Sequence, residues 1–351
     1  MRQIVLGRPK PTWYSIENSD EPTNPLEQPA IPRVARVGRE GNRLLKVHEK
    51  AGRKQHRSGV VLESSVPKVT RHRLQGRILL GAMVLDFTKM SGAGNDFVLL
   101  DNRAGEIRLS REQIVRLCDR HRGVGADGLI LLVPSATGKA DWAWEFYNRD
   151  GTPGEMCGNG ARCFSRFVQK LTEVRQRLTF ETGAGVITAS FEGERVTVSL
   201  TQPHSMRLNQ RVPLSAGMET IHSINTGVPH AVVFVPDTER VMIKQLGPEI
   251  RRHPHFGPKG TNVNFAQRLG PNQVRVRTFE RGVEGETLAC GTGVTATALI
   301  SARLYGFTSP VKVQVQGGEQ LEVSFTDEGG EFSDVRLTGP AEFVFTGRME
   351  I

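Results

Sequence analysis

The sequence contains few cysteines and no long apolar run. None of the cysteines forms a C-x-x-C pair, and no group of His and Cys has zinc-site spacing. Four cysteines are too few for a disulfide framework in 351 residues. No apolar run approaches the ~20 residues of a membrane-spanning helix. We therefore expect a protein of a reducing, cytoplasmic compartment, without a metal site and without a membrane partner. The four cysteines are Cys118, Cys157, Cys163 and Cys290.

The positive charge is confined to one end of the chain. The sequence has 46 Lys and Arg against 37 Asp and Glu, a net charge of +9. Residues 1–82 hold 16 of the basic and 7 of the acidic residues, which leaves 30 of each sign in the rest. This Pro-, Arg- and Gln-rich segment has little periodicity, so we expect a basic, disordered N-terminal extension. A nucleic-acid-binding arm and a transit peptide are alternatives, although the acidic residues argue against a transit peptide. The neutral remainder is typical of an enzyme without a nucleic-acid partner.

Strands dominate from Met83 onward. Alternation such as Val274-Arg275-Val276-Arg277 predicts strands with one buried face. Helices are predicted at 110–120, where Ser110 and Gln113 form a capping box, at 160–171, and at 293–305. The last is small or apolar on nearly every side, which indicates a helix buried all round. The predicted strands are 84–87, 97–101, 129–133, 142–147, 178–181, 186–191, 196–200, 231–235, 262–266, 274–279, 311–315, 321–325, 335–337 and 342–346.

Two short cysteine turns carry the chemistry that the sequence indicates. They read Cys157-Gly158-Asn159-Gly160 and Cys290-Gly291-Thr292-Gly293, and each follows a strand and opens a helix. Unpaired N–H groups and the dipole at a helix N-terminus stabilise a thiolate, so we expect thiol pKa values below the ordinary 8.5 or so. One such cysteine suggests a nucleophile. Two in equivalent contexts suggest an acid and a base that face each other across a substrate.

The two turns also indicate an internal repeat. Each half reads strand, polar turn, cysteine turn, buried helix and further strands. We predict an α+β fold of two pseudo-symmetric domains, each a mixed or antiparallel sheet around a central helix. The domains would comprise residues 83–203 with the C-terminal strand 339–351, and residues 204–338, with the active site in the cleft between them. Backbone N–H groups beside each cysteine would bind a carboxylate. Cys118 and Cys163 are predicted to be structural.

One motif invites a different interpretation. Residues 123–128 match G-x-G-x-x-G, the dinucleotide-binding pattern. That pattern requires a strand before it and a helix after it. Here a predicted helix precedes it and a strand follows, so we reject a dinucleotide site.

Several motifs, in order from Met83 to the C-terminus, resemble those of the diaminopimelate epimerases. Residues 1–82 have no counterpart in the family. The matching segments are Lys89-Met90 through Gly94-Asn95-Asp96-Phe97, Asn148 to Gly151, Glu155 to Cys163, Gly260 to Phe265, Glu280-Arg281-Gly282, and Glu286 to Gly293.

The resemblance implies a cofactor-independent, pyridoxal-phosphate-independent isomerase. Its reaction would be the epimerisation of L,L- to meso-diaminopimelate, a step toward lysine and peptidoglycan precursors. Cys157 and Cys290 would exchange the roles of thiolate base and thiol acid. The resemblance also implies a homodimer with a small-molecule substrate.

The resemblance assigns further residues to the site. The substrate would contact Asn95, Asn148, Gly158, Asn159, Asn262, Glu280, Arg281, Gly291 and Thr292. His230 and Glu280 would tune thiol ionisation. The chain departs from some members by having Gly128 in place of a glutamine, Val228 in place of an asparagine, and one extra residue within 282–285.

Two other functions stay open at this point. A proline or hydroxyproline racemase shares the two-cysteine chemistry, but such enzymes usually have histidine where Asn159 stands and need no clamp of the Arg281 type. A non-catalytic binding protein with a basic arm is the second alternative, and it would not require both cysteines.

Overall fold

The computed structural model describes residues 83–351, and the extension predicted for residues 1–82 lies outside that range. The described chain contains four α-helices and one 3₁₀ turn (Pro254–Phe256) among seventeen strands. The helices are α1 (Arg111–Cys118), α2 (Gly158–Thr172), α3 (Ile243–Arg251) and α4 (Gly291–Tyr305). The strands are β1 (Val84–Gly92), β2 (Asn95–Asp101), β3 (Gly128–Val133), β4 (Trp142–Asn148), β5 (Arg177–Thr182), β6 (Gly185–Glu192), β7 (Arg195–Ser199), β8 (His204–Leu214), β9 (Gly217–Asn225), β10 (Pro229–Phe234), β11 (Asn262–Gly270), β12 (Gln273–Glu280), β13 (Gly285–Thr287), β14 (Val311–Gln314), β15 (Gln320–Glu328), β16 (Glu331–Pro340) and β17 (Glu342–Glu350).

The strand pairing divides into two equivalent halves. One half runs β17-β1-β2-β3-β4-β5-β6-β7, and the other runs β8-β9-β10-β11-β12-β14-β15-β16. In both, the third strand pairs parallel with the fourth and the fifth with the sixth, while all other neighbours pair antiparallel. The last strands, β7 and β16, pair with each other and join the halves. The predicted pseudo-symmetric α+β fold is confirmed. We propose that the domain boundaries follow this division.

The helices occupy equivalent places in the two halves. α1 and α3 connect the third strand to the fourth, as parallel pairs require a crossover. α2 and α4 connect the fifth strand to the sixth and lie within the main hydrophobic core. In α4 nearly every residue from Gly291 to Ala302 is buried, which confirms the prediction from its small, apolar sequence. Because α2 and α4 are held by core packing, their N-termini are fixed in position.

All fourteen predicted strands and all three predicted helices are present, with ends shifted by a few residues. The capping box of α1 is confirmed: Ser110 Oγ accepts from the Gln113 N–H, and Gln113 Oε1 accepts from the Ser110 N–H. Gly128 begins β3 after α1, so the G-x-G-x-x-G segment has the reversed order that excludes a dinucleotide site. Cys118 and Cys163 are buried in hydrophobic clusters. No helix in residues 83–351 is long and apolar enough to cross a membrane.

Four elements were not predicted from the sequence: β8, β9, β13 and α3. β8 has apolar residues at alternate positions, Met206, Leu208, Val212 and Leu214, a strand pattern that the sequence analysis did not recognise; only Val212 is fully buried. α3 contains Gly247 and Pro248 and has no side-chain cap, which removes the usual helix signals. β13 has only three residues.

Candidate active site

The two cysteine turns meet where the halves join. Cys157 is the N-cap of α2 and Cys290 the N-cap of α4, both with extended backbone. A Cβ built on Gly158 would lie 3.7 Å from the Cα of Gly291, and one on either glycine would lie 3.0 Å from Leu337 Cδ2. Glycine at both positions therefore lets the two helix N-termini approach each other. The first N–H groups of both helices, which have no acceptor within their own helix, therefore lie close together.

A cleft of about 490 Å³ opens at this junction. All eleven residues predicted as catalytic or substrate-contacting line it, including both cysteines. A neighbouring cavity of about 630 Å³ shares Asn95, Asn148, Cys157, Glu280 and Arg281 with the cleft. The sequence motifs, which lie up to 197 positions apart, thus converge on one concave site.

Asn95 faces Cys157 in a fixed orientation. Its Nδ2 donates to the Asp127 carboxylate at 2.7 Å, which turns Oδ1 toward Cys157 Sγ at 3.5 Å and Asn159 Nδ2 at 3.3 Å. Asp127 was missed by the sequence analysis, because it lies inside the G-x-G-x-x-G segment that was examined only as a dinucleotide motif. Asp127 acts on the site through Asn95.

An ion cluster holds the beginning of β2 beside this contact. Arg120 bridges the carboxylates of Asp96 and Asp127, each at 2.8 Å, and Lys89 Nζ lies 2.8 Å from Asp96. Burial alone would raise the pKa of Asp96, but hydrogen bonds from Arg120 and Lys89 bring it to about 2. Asp96 therefore stays ionised and anchors the strand that carries Asn95.

Both polar atoms of the Asn159 side chain have hydrogen-bond partners within the protein. Its Nδ2 donates to Asn95 Oδ1 and to the carbonyl of Ala289 at 3.0 Å, and its Oδ1 accepts from Arg162 at 3.0 Å. Asn159 is 1% exposed. A ligand can therefore meet Asn159 through its backbone N–H, as the helix N-terminus allows, rather than through its amide.

The opposite wall is formed by β11, β12 and the turn before α4. The Glu280 carboxylate accepts from Thr287 Oγ1. Asn262 Oδ1 accepts from the Arg281 N–H at 2.8 Å, and its Nδ2 donates to the Pro229 carbonyl at 3.3 Å. Within residues 83–351 no carboxylate lies within 4.0 Å of the Arg281 guanidinium, which leaves it available to an anionic ligand.

Thr292 belongs to the same wall. Its Oγ1 lies 3.6 Å from Cys290 Sγ, within hydrogen-bond range for sulfur. Its carbonyl accepts from Thr226 Oγ1 at 3.0 Å, which fixes the first turn of α4 against the end of β9. Thr226 was not singled out by the sequence analysis.

The thiol pKa values differ in direction from the prediction. Burial raises the pKa of Cys157 to about 11, although the N–H groups of Gly160 and Asn159 lower it. Burial and the Glu280 charge raise the pKa of Cys290 well above its ordinary value. The prediction of lowered values was wrong, because desolvation outweighs the effect of the helix N-termini. Both thiols are therefore protonated at neutral pH.

His230 lies behind the cleft rather than in its lining. It is fully buried, and its Nδ1 accepts from Asn264 Nδ2 at 3.1 Å. In the described chain, Nε2 has no hydrogen-bond partner. Burial and the nearby Arg281 charge lower the pKa of His230 to about 3, so its imidazole is neutral. Its predicted effect on thiol ionisation stays a prediction.

His230 is expected to destabilise the fold at mildly acidic pH. A histidine whose pKa is lowered by folding contributes its full stability above the unfolded pKa of about 6.5, and loses it as the pH falls toward 3. Between pH 7 and pH 5 this amounts to about 2 kcal/mol. Urea unfolding at both pH values should show a smaller loss in His230→Gln than in the parent chain. Equal losses would contradict the neutral, buried imidazole.

The two departures from the family have different surroundings. Val228 lines the cleft, so a missing amide there removes one polar contact. Gly128 has no room for a side chain, since a Cβ would lie 2.8 Å from the Tyr147 carbonyl and 2.9 Å from Phe146 Cε2. Glycine at this position is a consequence of strand packing, and a glutamine would require β4 to shift.

Comparisons with known proteins agree with this site. A family profile described as "Diaminopimelate epimerase" matches residues 87–205 and 222–344. The diaminopimelate epimerase of Aquifex aeolicus is 45% identical over 278 residues, covering 76% of this chain and 98% of the relative. That of Chlorobaculum tepidum is 42% identical over 267 residues, covering 75% and 100%.

A solved structure supports the fold at a greater distance. The hydroxyproline epimerase of Agrobacterium vitis superposes with a TM-score of 0.58 at 17% identity, covering 76% of this chain and 93% of that one. At this identity the likeness concerns the fold alone. The family profile and the two closer relatives span both halves of the chain and nearly the whole of each relative. The chain belongs to the diaminopimelate epimerase family and is an isomerase.

Proposed function

We propose that the protein epimerises L,L-diaminopimelate to meso-diaminopimelate without a cofactor, by acid/base chemistry between two cysteines. The observation that carries this proposal is the pair of cysteines at two facing helix N-termini in one cleft. Inversion at a carbon requires a base on one face and an acid on the other. Two thiols beside a shared anion-binding region meet that requirement.

In the proposed reaction the α-carboxylate binds to backbone N–H groups at Gly158–Asn159 and Gly291–Thr292. These donors also stabilise charge that develops as the α-proton leaves. One cysteine, as thiolate, removes the proton and becomes a thiol. The other donates its proton to the opposite face and becomes the thiolate. The proton count is balanced, and the reverse reaction exchanges the two roles.

The raised thiol pKa values fit a site that becomes reactive only when occupied. Burial and the Glu280 charge favour the neutral form of both thiols. A substrate ammonium near Glu280 compensates that negative charge, and a cation near a thiol favours its ionised form. Thiolate formation would then be coupled to substrate binding.

The distal end of the substrate calls for a second set of contacts. The Arg281 guanidinium, with the Asn95, Asn148 and Asn262 amides nearby, suits the distal carboxylate, while the Glu280 carboxylate, beside both thiols, suits the ammonium of the reacting centre. A racemase of proline has no distal amino-acid group to bind. The Arg281 side of the cleft therefore favours diaminopimelate over proline.

We further propose a cytoplasmic homodimer. β17 pairs with β1 along one edge only, and its other edge is free within the described chain. Phe343, Val344 and Phe345 on this strand are exposed, at 38–55%. An apolar strand at a free sheet edge is a common site of self-association.

The test is isotope exchange with the full-length protein. The protein is incubated with L,L-diaminopimelate in D₂O with dithiothreitol, and a parallel sample receives L-proline. We expect α-deuterium in the recovered amino acid and formation of meso product, with no change to proline. Racemisation of proline without exchange into diaminopimelate would instead establish the racemase alternative, and no exchange in either sample would refute both.

A further inference from the structure

A buried arginine lies directly behind the Cys157 turn. Arg162, one turn into α2, is 0% exposed and is the largest of the fully buried side chains. It donates to three neutral oxygens: the Pro340 carbonyl at 3.2 Å, the Gly158 carbonyl at 3.3 Å and Asn159 Oδ1 at 3.0 Å. Across residues 83–351 no carboxylate comes within 4.0 Å of this guanidinium.

A buried cation without an anionic partner is destabilising, so its presence calls for an explanation. Burial lowers the pKa of Arg162 to about 10, which still leaves it protonated at neutral pH. Two anions that form or bind during the proposed reaction would balance the Arg162 charge: the Cys157 thiolate and a substrate carboxylate at the α2 N-terminus. While burial raises the pKa of Cys157, the Arg162 charge lowers it.

The planar guanidinium also determines how Asn159 is oriented. A guanidinium has only donors, so the amide oxygen of Asn159 must face it. Nδ2 of Asn159 then points the other way, to the carbonyl of Ala289, the residue before Cys290, and to Asn95 Oδ1. One arginine thus connects the N-terminus of α2 to the chain that enters α4.

We propose that Arg162 is a positioning residue for the two-cysteine reaction. Its charge stabilises the anionic form of Cys157. Its planar set of donors, acting through Asn159, keeps the two cysteine turns in a fixed position relative to each other. This inference rests on the proposed function for its effect on turnover. Its effect on thiol reactivity is independent of that function.

Other charged and titratable groups face the same region and contribute to any pH profile. Glu280 on β12 and the Cys290 thiol act on Cys157 from the opposite wall. Cys163 on α2, Arg195 on β7 and Glu319 before β15 act on Arg162. A change in the Arg162 side chain must therefore be compared with a variant that leaves all of these in place.

The experiment uses three variants of the full chain. Arg162→Met removes the charge, Arg162→Lys keeps the charge but loses the planar donor set, and Arg166→Met is the matched control on the same helix. Arg166 bonds to Gln169 and to the Gly193 carbonyl, away from the cysteines. Alkylation of Cys157 by iodoacetamide is followed against pH in the substrate-free protein by peptide mass spectrometry. kcat and KM for L,L-diaminopimelate are measured alongside.

The two roles of Arg162 predict different patterns. In Arg162→Met, the alkylation profile should move about one pH unit higher, a tenfold slower reaction at pH 8. In Arg162→Lys, that profile should stay near the parent's while kcat falls at least tenfold at similar KM. An unchanged profile in Arg162→Met, or parent-like kcat in Arg162→Lys, would overturn the respective role. If Arg162→Met does not fold, Arg162→Gln, which removes the charge but keeps a polar side chain, takes its place in the alkylation comparison, and the kcat of Arg162→Lys still tests the donor set. An inactive parent protein refutes the proposed function but leaves the alkylation comparison valid.

Discussion

Replacing either Cys157 or Cys290 with alanine is expected to lower the rate of diaminopimelate epimerisation by about 10³-fold or more. General acid or base catalysis by one positioned group contributes about 10²–10⁴-fold. Because inversion uses both thiols in every turnover, loss of either one removes the reaction rather than halving it. Formation of meso product from L,L-diaminopimelate, followed by chiral chromatography, measures the effect.

The two single variants also show whether each thiol exchanges protons on only one face of the substrate. Whichever thiol remains can still remove a proton from its own side and return one there, so any residual deuterium exchange should proceed with retention. Cys118→Ala is the matched control, since Cys118 is packed with Ile114 and Leu117 in a separate hydrophobic cluster and should leave turnover unchanged. Inversion at more than a tenth of the parent rate in either active-site variant would contradict a two-thiol mechanism.

The fold was predictable where one face of each element is buried. β12 alternates buried and half-buried residues, and α4 is buried nearly all round, so both sequences carry clear patterns. β8 and α3 were not predicted, for different reasons. β8 alternates apolar and polar residues, but Gln210 interrupts the alternation and the strand is largely exposed, whereas α3 contains a proline and has no side-chain cap.

The candidate site was predictable in its residues but not in its electrostatics. Glycine-punctuated cysteine turns are visible in the sequence, and the structure brings them together in one cleft. The direction of the thiol pKa shifts depends on burial by both halves of the chain, which no local motif encodes. Asp127 and Arg162 act through Asn95 and Asn159, so their contributions emerge only from side-chain contacts between distant segments.

Alkaline pH is expected to unfold this protein through its buried thiols. Burial raises the pKa of Cys118 and of Cys163 to about 12, and that of Cys290 well above its ordinary value of 9.0. An acid whose pKa is raised by folding contributes its full stability below the unfolded pKa. That contribution is lost as the pH rises above it, because the unfolded chain then releases the proton more readily.

The size of the effect follows from the number of buried thiols. One pH unit above the unfolded pKa, a thiol held neutral by burial has lost on the order of 1 kcal/mol of stability. Cys118 and Cys163 together should therefore lower the free energy of unfolding by about 3 kcal/mol between pH 8 and pH 10, and Cys290 adds to the loss in the same direction. Cys157 is only partly buried and is left out of this sum. Urea unfolding under reducing conditions at the two pH values measures the difference.

A double variant separates the thiols from other alkaline titrations. Cys118→Ala/Cys163→Ala keeps Cys290 and should lose about 3 kcal/mol less than the parent over the same pH interval, whatever its stability at pH 8. Tyr147 and Tyr305, whose pKa values burial raises, titrate identically in both proteins and cancel in the comparison. Parallel losses in the parent and the double variant would mean that these two thiols are not held neutral by burial. In that case burial would no longer account for the protonated state of Cys290 and Cys157, and the N–H groups at the helix N-termini would have the dominant effect on the two thiol pKa values, as the sequence alone predicts.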